Sequence, residues 1–244
     1  MKKLTLSLFL FSISIFVLSG QTTYESDIIK TTGGDLKMTF IGHGTLLFEY
    51  NDLVIHIDPV SRYAEYSEMP KADIVLITHH HGDHLDTNSI NKIKKKGSVI
   101  ICTEVCAEKI GSGDIMGNDE LKRIYGIKVE SVPAYNIVHK RENGEAYHPK
   151  GVGNGYILTF GDTKVYVAGD TENIPEMKNF DNIDIAFLPM NVPYTMTPEM
   201  VADAVKMFNP KILYPYHYGS TNVNELIELL KDKEDCEVRI RKLK

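Results

Sequence analysis

The sequence predicts an α+β fold in which two β-sheets pack face to face between outer layers of helices. Short strand-like runs dominate each half of the chain, and helical stretches follow each group of strands. This succession favours a four-layer αββα sandwich. No internal sequence repeat is visible, and no linker rich in glycine, serine or proline divides the chain. We therefore expect one domain over residues 21–244.

In the first half, alternating or fully apolar runs predict strands and helix-periodic stretches predict helices. We expect a tight turn at Asn51-Asp52 between two strands. Thr87 or Asn88 is expected to cap the first helix and Gly97 to end it. The expected strands are 36–40, 45–50, 53–57, 74–77, 98–101 and 127–132, and the expected helices are 86–96, 103–110 and 119–125.

The second half begins with a polar loop over residues 136–154 and then repeats the same style. A hairpin is expected to turn at Gly161-Asp162, and Thr197-Pro198 has the order of a helix cap followed by proline. The expected strands are 156–160, 164–168, 183–188, 212–214 and 237–240, and the expected helices are 197–209 and 222–231.

The first twenty residues have the pattern of a secretory signal peptide. Lys2 and Lys3 give a positive start, residues 4–18 are apolar apart from Thr and Ser, and small residues follow at Ser19-Gly20. The apolar run is short for a membrane span, which needs about 20 residues. The alternative is an uncleaved N-terminal anchor. We expect residues 1–20 to be cleaved, leaving no stable membrane span, and the mature protein to be secreted or periplasmic.

Composition argues against some classes of function. The chain has a formal net charge of −6, which becomes −8 without the two leader lysines. An acidic chain without a basic run is not expected to bind nucleic acid. Its three cysteines are an odd number and form no disulfide framework, although the spacing of Cys102 and Cys106 leaves a metal pair or a bridge open. The oligomeric state is not predicted.

A dense group of metal-ligand residue types follows the apolar strand 74–77, in the stretch THHHGDHLD at 78–86. His79 and His81 lie two residues apart after the strand end, so both can face one cation. Asp83 and His84 can face a second cation, and Gly82 is expected to permit the tight backbone between the two pairs. Imidazole mixed with carboxylate suits zinc and similar metals. We therefore expect a metal site rather than a solvated histidine cluster.

Further ligands are expected at later strand ends, since these four side chains do not complete two coordination spheres. His148 precedes the strand at 156–160, Asp170 follows the strand at 164–168, and His217 follows the strand at 212–214. His139 lies in the same loop as His148 and is the alternative.

H-x-H-x-D-H, a later histidine, Gly-Asp-Thr and a final histidine, in this order, resemble the metallo-β-lactamase-fold superfamily over nearly the whole mature chain. The branch that this sequence most resembles contains small metal-dependent hydrolases, among them ascorbate-6-phosphate lactonase. Four further stretches carry the likeness: TFIGHG at 39–44, Asp58-Pro59, VPAYN at 132–136 and MTPE at 196–199.

The resemblance implies two divalent metal ions, with zinc expected and manganese or iron also compatible. Its ligand pattern assigns His79, His81 and His148 to the first metal. Asp83, His84 and His217 serve the second metal, and Asp170 bridges the two.

The activity that follows is hydrolysis of an ester, lactone or phosphoester bond of a small substrate by a hydroxide bound to both metals. Asp83, Asp170 and His43 are the candidate catalytic residues. Three alternatives stay open: a phosphodiesterase like phospholipase D on the same fold, diiron redox chemistry, and a metal-binding module without catalysis. The imidazole of His81 argues against the second alternative, because the diiron relatives place a glutamate there.

Several residues around the expected metals each have two alternative roles. Asp58 is expected either to accept a hydrogen bond from a ligand histidine or to form a turn, and His56 is expected to be structural. Candidates for substrate contact, each with packing as the alternative, are Tyr135, Asn136, Tyr194, Tyr216 and Tyr218.

Overall fold

Each half of the chain forms one mixed β-sheet, as seen in a computed structural model that describes residues 23–243. The expected signal peptide lies outside the described residues, so it stays a prediction, as does the single mature domain. Within residues 23–243, no helix has the length and apolar character needed to cross a bilayer.

The first sheet has the strand order β1 to β7, with antiparallel pairing from β1 to β4 and parallel pairing from β4 to β7. Two helices, α1 (Thr87–Ile93) and α2 (Glu104–Ile110), follow β5 and β6. The strands are β1 (Glu25–Thr31), β2 (Gly34–Gly42), β3 (Thr45–Tyr50), β4 (Leu53–Ile57), β5 (Ala72–Leu76), β6 (Lys94–Cys102) and β7 (Asp114–Ile115).

The second sheet repeats this topology from β8 to β14, antiparallel as far as β11 and parallel thereafter. Helices α3 (Pro198–Phe208) and α4 (Val223–Leu230) accompany it, with a 3₁₀ turn at Pro175–Asn179. The strands are β8 (Leu121–Ile124), β9 (Ile127–Ala134), β10 (Gly153–Phe160), β11 (Thr163–Val167), β12 (Ile185–Pro189), β13 (Ile212–Tyr216) and β14 (Glu237–Val238).

Aromatic side chains fill the space between the two sheets. The ring of Phe40 from β2 lies 5.1 Å from Tyr214 of β13, and Phe48 of β3 lies 6.2 Å from Phe160 of β10 and 5.9 Å from Phe187 of β12. All five are buried. Aromatic pairs at these distances contribute beyond the area that they bury, so they hold the sheets face to face.

Alternation along the strands sends the other side chains to the outer helices. On β5, Ile74 and Leu76 belong to the core between the sheets, whereas Val75 packs with Ile90 and Ile93 of α1. On the second sheet, Tyr166, Phe180 and Phe208 pack together under α3. The predicted αββα sandwich is confirmed.

Some local predictions are wrong. The expected helix at 119–125 is strand β8, because Tyr125-Gly126, both with positive φ, form a two-residue turn that pairs Ile124 with Ile127. Asp86, and neither Thr87 nor Asn88, caps α1 by accepting from backbone N–H groups. That helix ends at Ile93, before Gly97, and β6 begins directly after it.

A cluster of polar side chains joins the first strand to the C-terminal segment. Asp27 of β1 accepts hydrogen bonds from the Tyr214 hydroxyl and from Arg241 Nη2, at 2.7 Å for the latter, and lies 3.3 Å from Arg239 Nη1. The Arg241 guanidinium also covers the ring of Phe40, at 5.6 Å from its centroid. Charge-assisted hydrogen bonds of this kind are stronger than those of exposed pairs.

Replacing Asp27 by Asn is expected to lower the free energy of unfolding at pH 7 by about 1–2 kcal/mol, because the charged hydrogen bonds are weakened. Burial raises the pKa of Asp27, but hydrogen bonds from Tyr214 and Arg241 lower it by more than burial raises it. The pKa therefore lies below its ordinary value. The contribution is therefore present above pH about 4 and is lost as the pH falls through the folded-state pKa.

Urea denaturation of the purified protein at a series of pH values measures this difference. The control is Asp35→Asn, because the Lys30–Asp35 pair is exposed and should contribute less than about 0.5 kcal/mol. Equal effects of the two substitutions would contradict the prediction.

Candidate metal centre

The histidine and aspartate candidates gather at one end of the sandwich, where the parallel strands of both sheets have their carboxyl ends. Strand β4 leads into Asp58, and β5 leads into the segment 78–84. From the second sheet, β11 leads into Asp170 and β13 into His217, and His148 lies in the loop before β10. The candidate ligands are far apart in the sequence but close in space, because the ends of these strands lie at the same edge of the two sheets.

The first donor group contains His79, His81, His148 and Asp170. The His81 Nδ1 atom lies 3.1 Å from His79 Nε2 and 3.2 Å from His148 Nε2. Asp170 Oδ2 lies 3.2 Å from His148 Nε2 and 3.9 Å from His79 Nε2. Four ligands held tetrahedrally at about 2.0–2.1 Å from a zinc ion would lie about 3.3 Å apart. The donor atoms of His79, His81 and His148 all lie within 4.8 Å of one another, close enough for one cation, and Asp170 adjoins them.

The second donor group contains Asp83, His84 and His217, again with Asp170. Asp170 Oδ1 lies 3.3 Å from His84 Nε2, and Asp170 Oδ2 lies 3.5 Å from His217 Nε2. His217 Nε2 is 3.6 Å from Asp83 Oδ2. Asp170 therefore reaches both groups with one carboxylate. All seven expected side chains converge in space.

Unpartnered buried atoms support a metal at this position. In the part of the chain that the structure describes, His84 Nε2, His217 Nε2 and Asp170 Oδ1 are buried and have no hydrogen-bond partner. An unpaired polar atom in the interior costs free energy. A divalent cation would bind all three, so the residues present fit a metal. The cluster of histidine and aspartate side chains is capable of binding metal.

The far ring nitrogens of the histidines are held by neighbouring polar groups. His84 Nδ1 lies 2.7 Å from Asp58 Oδ2, His148 Nδ1 lies 2.7 Å from Asn136 Oδ1, and His79 Nδ1 lies 3.0 Å from the hydroxyl of Thr78. Such contacts orient a metal ligand and fix its tautomer. The structure thus gives Asp58 the first of its two expected roles.

Burial and charge set the protonation of the group. Burial lowers the pKa of His79 well below its usual value, and it lowers the pKa of His81 to about 4, helped by the nearby His148. Burial raises the pKa of Asp170, but His217 and His84 lower it more, to well below its ordinary range. Neutral imidazoles and an ionised carboxylate are the forms that bind metal.

His84 differs from the other histidines because it lies between two carboxylates. Burial lowers the pKa of His84, but the charges of Asp170 and Asp58 raise it by more than burial lowers it. The pKa therefore lies well above the ordinary value. A proton and a divalent cation therefore compete for the same place between His84 and Asp170.

His43 lies close to the second group, because the donor atoms of His43, Asp83, His84 and His217 all lie within 4.8 Å of one another. It adopts a left-handed backbone conformation with φ of 55°, and its Nε2 atom lies 3.3 Å from Asp83 Oδ2. Its ring centroid is 3.6 Å from that of His217. Burial lowers the pKa of His43. The position suits either a further ligand or a proton-transfer group, and the catalytic role of His43 stays a prediction.

The candidates for substrate contact occupy different positions around the site. Asn136 holds His148, and Tyr194 lines the cavity described below, but the Tyr216 and Tyr218 hydroxyls donate to the backbone carbonyls of Gly169 and Arg241. Tyr135 donates to Glu176. His56 is buried against the Pro70 carbonyl, in a structural position. Cys102, Cys106 and Cys236 are buried free thiols.

Glu172 was not predicted, although it organises the loop that carries His148. Its buried carboxylate accepts the backbone N–H groups of Ile137, Val138 and His139, each at 2.7 Å, and the Asn136 amide at 3.1 Å. The Nδ1 atom of His139, the alternative ligand, lies 2.7 Å from Glu172 Oε1. His139 therefore belongs to neither donor group. A glutamate two residues after Asp170 gives no sequence pattern from which this role could be read.

The expected role of Gly82 is wrong. A methyl group at Gly82 would meet no atom within 4 Å, and its φ is not positive. The close approaches occur at other glycines. A Cβ atom at Gly44 would lie 2.7 Å from the His84 ring. Gly169 has φ of 65°, and a Cβ atom there would lie 2.8 Å from the Asn154 carbonyl and 3.0 Å from Thr78 Cβ.

A cavity of about 450 Å³ opens over the donor atoms. Its walls include Asp83, Asp170 and His217 from the two donor groups, together with Asn191 and Tyr194 from the loop after β12. This volume is suited to a small molecule. The donor atoms are therefore accessible to a substrate.

Gly169→Ala is expected to lower the free energy of unfolding by about 1–3 kcal/mol and to weaken metal uptake, because the methyl group displaces the backbone beside Asp170. Gly82→Ala is the matched control and should leave both quantities unchanged within about 1 kcal/mol. Denaturation curves and metal analysis of the two variants measure the effects. Equal tolerance of both substitutions would refute the role given to Gly169.

Glu172→Gln is expected to weaken metal binding by roughly 10-fold or more, because the new amide N–H₂ opposes the backbone donors that hold Asn136 and, through it, His148. Competition against a chelator with known affinity measures the change. Glu176→Gln is the control, since Glu176 contacts Lys150 and Tyr135 near the surface. A similar loss in both variants would contradict the prediction.

Comparisons with known proteins agree with this geometry. A family model described as a beta-lactamase superfamily domain matches residues 37–217. A UPF0173 metal-dependent hydrolase from Nanoarchaeum equitans is 33% identical over 191 residues, which cover 76% of this chain and 85% of the relative.

Solved structures give the same result. A crystal structure from Parabacteroides distasonis, described as a putative metal-dependent hydrolase, has 50% identity and a TM-score of 0.87, and the match covers 91% of this chain and 100% of that chain. A metallo hydrolase from Ignicoccus hospitalis has 23% identity and a TM-score of 0.69, covering 85% and 95% of the two chains, and shows the fold alone. The chain therefore belongs to the metallo-β-lactamase superfamily, in which it is a metal-dependent hydrolase.

Proposed function

We propose that the enzyme binds two divalent ions, zinc in the first instance, and hydrolyses an ester, lactone or phosphoester bond of a small substrate. The observation that carries the proposal is the position of Asp170 between two donor groups. One carboxylate oxygen lies 3.3 Å from His84 Nε2 and the other lies 3.2 Å from His148 Nε2. A carboxylate that faces two sets of ligands is suited to bridge two cations.

The ligand types support zinc. Each group offers imidazole nitrogens together with carboxylate oxygen, which zinc accepts readily, whereas calcium and magnesium prefer oxygen alone. Manganese and iron accept the same ligands. Metal analysis of protein purified from its native compartment is the measurement that distinguishes these ions.

Hydrolysis is the reaction that this site supports best. When bound, divalent ions lower the pKa of a bound water and polarise a carbonyl or phosphoryl oxygen. The protein side chains then have three tasks. Asp170 spans the donor groups, Asp83 and His43 lie within proton-transfer distance of each other, and Asn191 and Tyr194 border the space for the substrate.

A phosphodiesterase that acts on an apolar substrate is the second candidate. It is favoured by exposed hydrophobic side chains on two loops near the cavity: Ile137, Val138, Val192 and Tyr194. The two loops are joined by a hydrogen bond of 2.9 Å from the Asn136 amide to the Tyr194 carbonyl. Hydrolysis of a lipid phosphodiester in preference to soluble esters and lactones would select this candidate.

The location of the enzyme is a further part of the proposal. The leader pattern at residues 1–20 supports export and cleavage, which would leave the protein in the periplasm or outside the cell. N-terminal sequencing of the protein from the cell envelope and the medium tests this. A mature chain that starts at residue 1 would refute cleavage.

His81→Ala is expected to remove most of the bound metal and to lower kcat/KM by roughly 100-fold or more, because a ligand of the first group is lost. Metal content and hydrolysis of a panel of esters, lactones and phosphodiesters are measured in parallel. His80→Ala is the matched control, since His80 is the adjacent histidine and is not in a donor group.

Full metal content and activity in the His81 variant would contradict the assignment of the first group. Metal uptake by the unmodified protein without hydrolysis of any substrate in the panel would favour a non-catalytic metal-binding module and would refute the proposed function.

A further inference from the structure

An arginine lies in the wall of the cavity and belongs to neither donor group. Arg141 lines the cavity together with Asp83, Asp170 and His217, on the side formed by the loop between β9 and β10. Arg141 therefore has no role in binding the metals. Its position beside the donor atoms raises the question of what it contacts when a substrate is bound.

A small hairpin fixes the backbone of Arg141. Lys140 pairs with Ala146 as an isolated antiparallel bridge. The Arg141 N–H donates to the Glu145 carbonyl at 2.7 Å, and the Gly144 N–H donates to the Arg141 carbonyl at 2.9 Å. The hairpin therefore holds Arg141 at a defined place.

Two tyrosines orient the guanidinium group. The Arg141 Cζ atom lies 5.0 Å from the centroid of the Tyr147 ring, which is a cation–π distance. The Tyr147 ring in turn packs edge-on against Tyr194 at 5.1 Å. Stacking on an aromatic face leaves the N–H groups at the edge of the guanidinium free to donate.

The positive charge of Arg141 is not neutralised by the protein. Among residues 23–243, no carboxylate forms an ion pair with it, whereas Arg239 pairs with Glu237 at 2.7 Å and Arg241 pairs with Asp27 at 2.7 Å. The nearby Lys150 is also paired, with Glu176 at 2.6 Å. In a chain with a net charge of −6, the guanidinium in the cavity wall therefore keeps its positive charge available for an anion that enters the cavity.

We propose that Arg141 binds an anionic group of the substrate, a carboxylate or a phosphate, that is separate from the bond to be hydrolysed. A planar guanidinium with several free N–H groups matches the oxygens of either anion. The proposal rests on the proposed function and adds the substrate class: small esters or lactones that carry a negative charge. Arg141 is thus a specificity residue, and Tyr147 and Tyr194 position it.

Matched substrates test the role of the charge. The mono-4-nitrophenyl ester of adipate and 4-nitrophenyl hexanoate have the same chain length, and they differ in a terminal carboxylate or methyl group. The 4-nitrophenyl ester of 5-phosphonopentanoate replaces the carboxylate by a phosphonate and so distinguishes the two anions. The metal-loaded full-length protein is assayed with each, with spontaneous hydrolysis subtracted.

The unmodified enzyme is expected to prefer an anionic ester. Arg141→Met should reduce kcat/KM for that ester by roughly 10- to 100-fold, mainly through KM, and should change the rate with the hexanoate ester less than about threefold. Arg141→Lys should restore part of the loss, because it keeps the charge without the planar fork. Arg123→Met is the control, with the same change of net charge at a surface residue of β8.

A binding measurement makes the test independent of turnover. Titration calorimetry of the metal-loaded protein compares adipate with hexanoate, which share one carboxylate and differ in the second. The excess affinity for adipate should be present in the unmodified protein and in Arg123→Met and absent from Arg141→Met.

The outcomes separate the two proposals. Unchanged selectivity and unchanged adipate affinity in Arg141→Met would overturn the role of Arg141 and leave hydrolysis intact. Absence of hydrolysis by the unmodified protein, with the excess adipate affinity still dependent on Arg141, would overturn the proposed function and leave the anion site intact. An equal loss on charged and neutral ligands would show that the substitution disturbs the whole cavity, and it would refute a specific contact.

Discussion

The buried carboxylate of Asp170 is the group around which the donor side chains of both sheets are arranged. An ionised carboxylate in the interior is stable only when positive charge or hydrogen-bond donors surround it. Here the surrounding groups are imidazoles from both halves, among them His84 from the first half and His148 and His217 from the second. The interface between the halves is therefore joined by charge at one end and by aromatic packing in its middle.

The two halves have the same strand topology without a visible sequence repeat. Each sheet is antiparallel over its first four strands and parallel afterwards. This order brings the carboxyl ends of β4 and β5 to the same edge as those of β11 and β13. The duplicated topology explains why ligands separated by more than 100 positions, such as His79 and His217, lie close together.

The sequence was most informative where chemistry and strand ends coincide. The H-x-H-x-D-H stretch and the strand ends at Asp170 and His217 predicted which side chains would meet. His148 was preferred to His139 because it precedes a strand at the spacing that the third histidine of the family shows. The sequence was least informative where the cause is a tertiary contact. Glu172 acts through backbone N–H groups of a loop that has no pattern of its own. The requirement for glycine at position 169 has no local signal either, because the crowding around Gly169 comes from residues far away in the chain.

The anchoring of the loop by Glu172 has a consequence for how this scaffold can change. The anchor holds residues 136–139, and Asn136 holds His148, so both bases of the hairpin are fixed before its tip begins. The tip, residues 141–146, can therefore be exchanged as a cassette without moving His148. Substitutions in this tip can change which substrates the cavity binds while the donor atoms keep their positions.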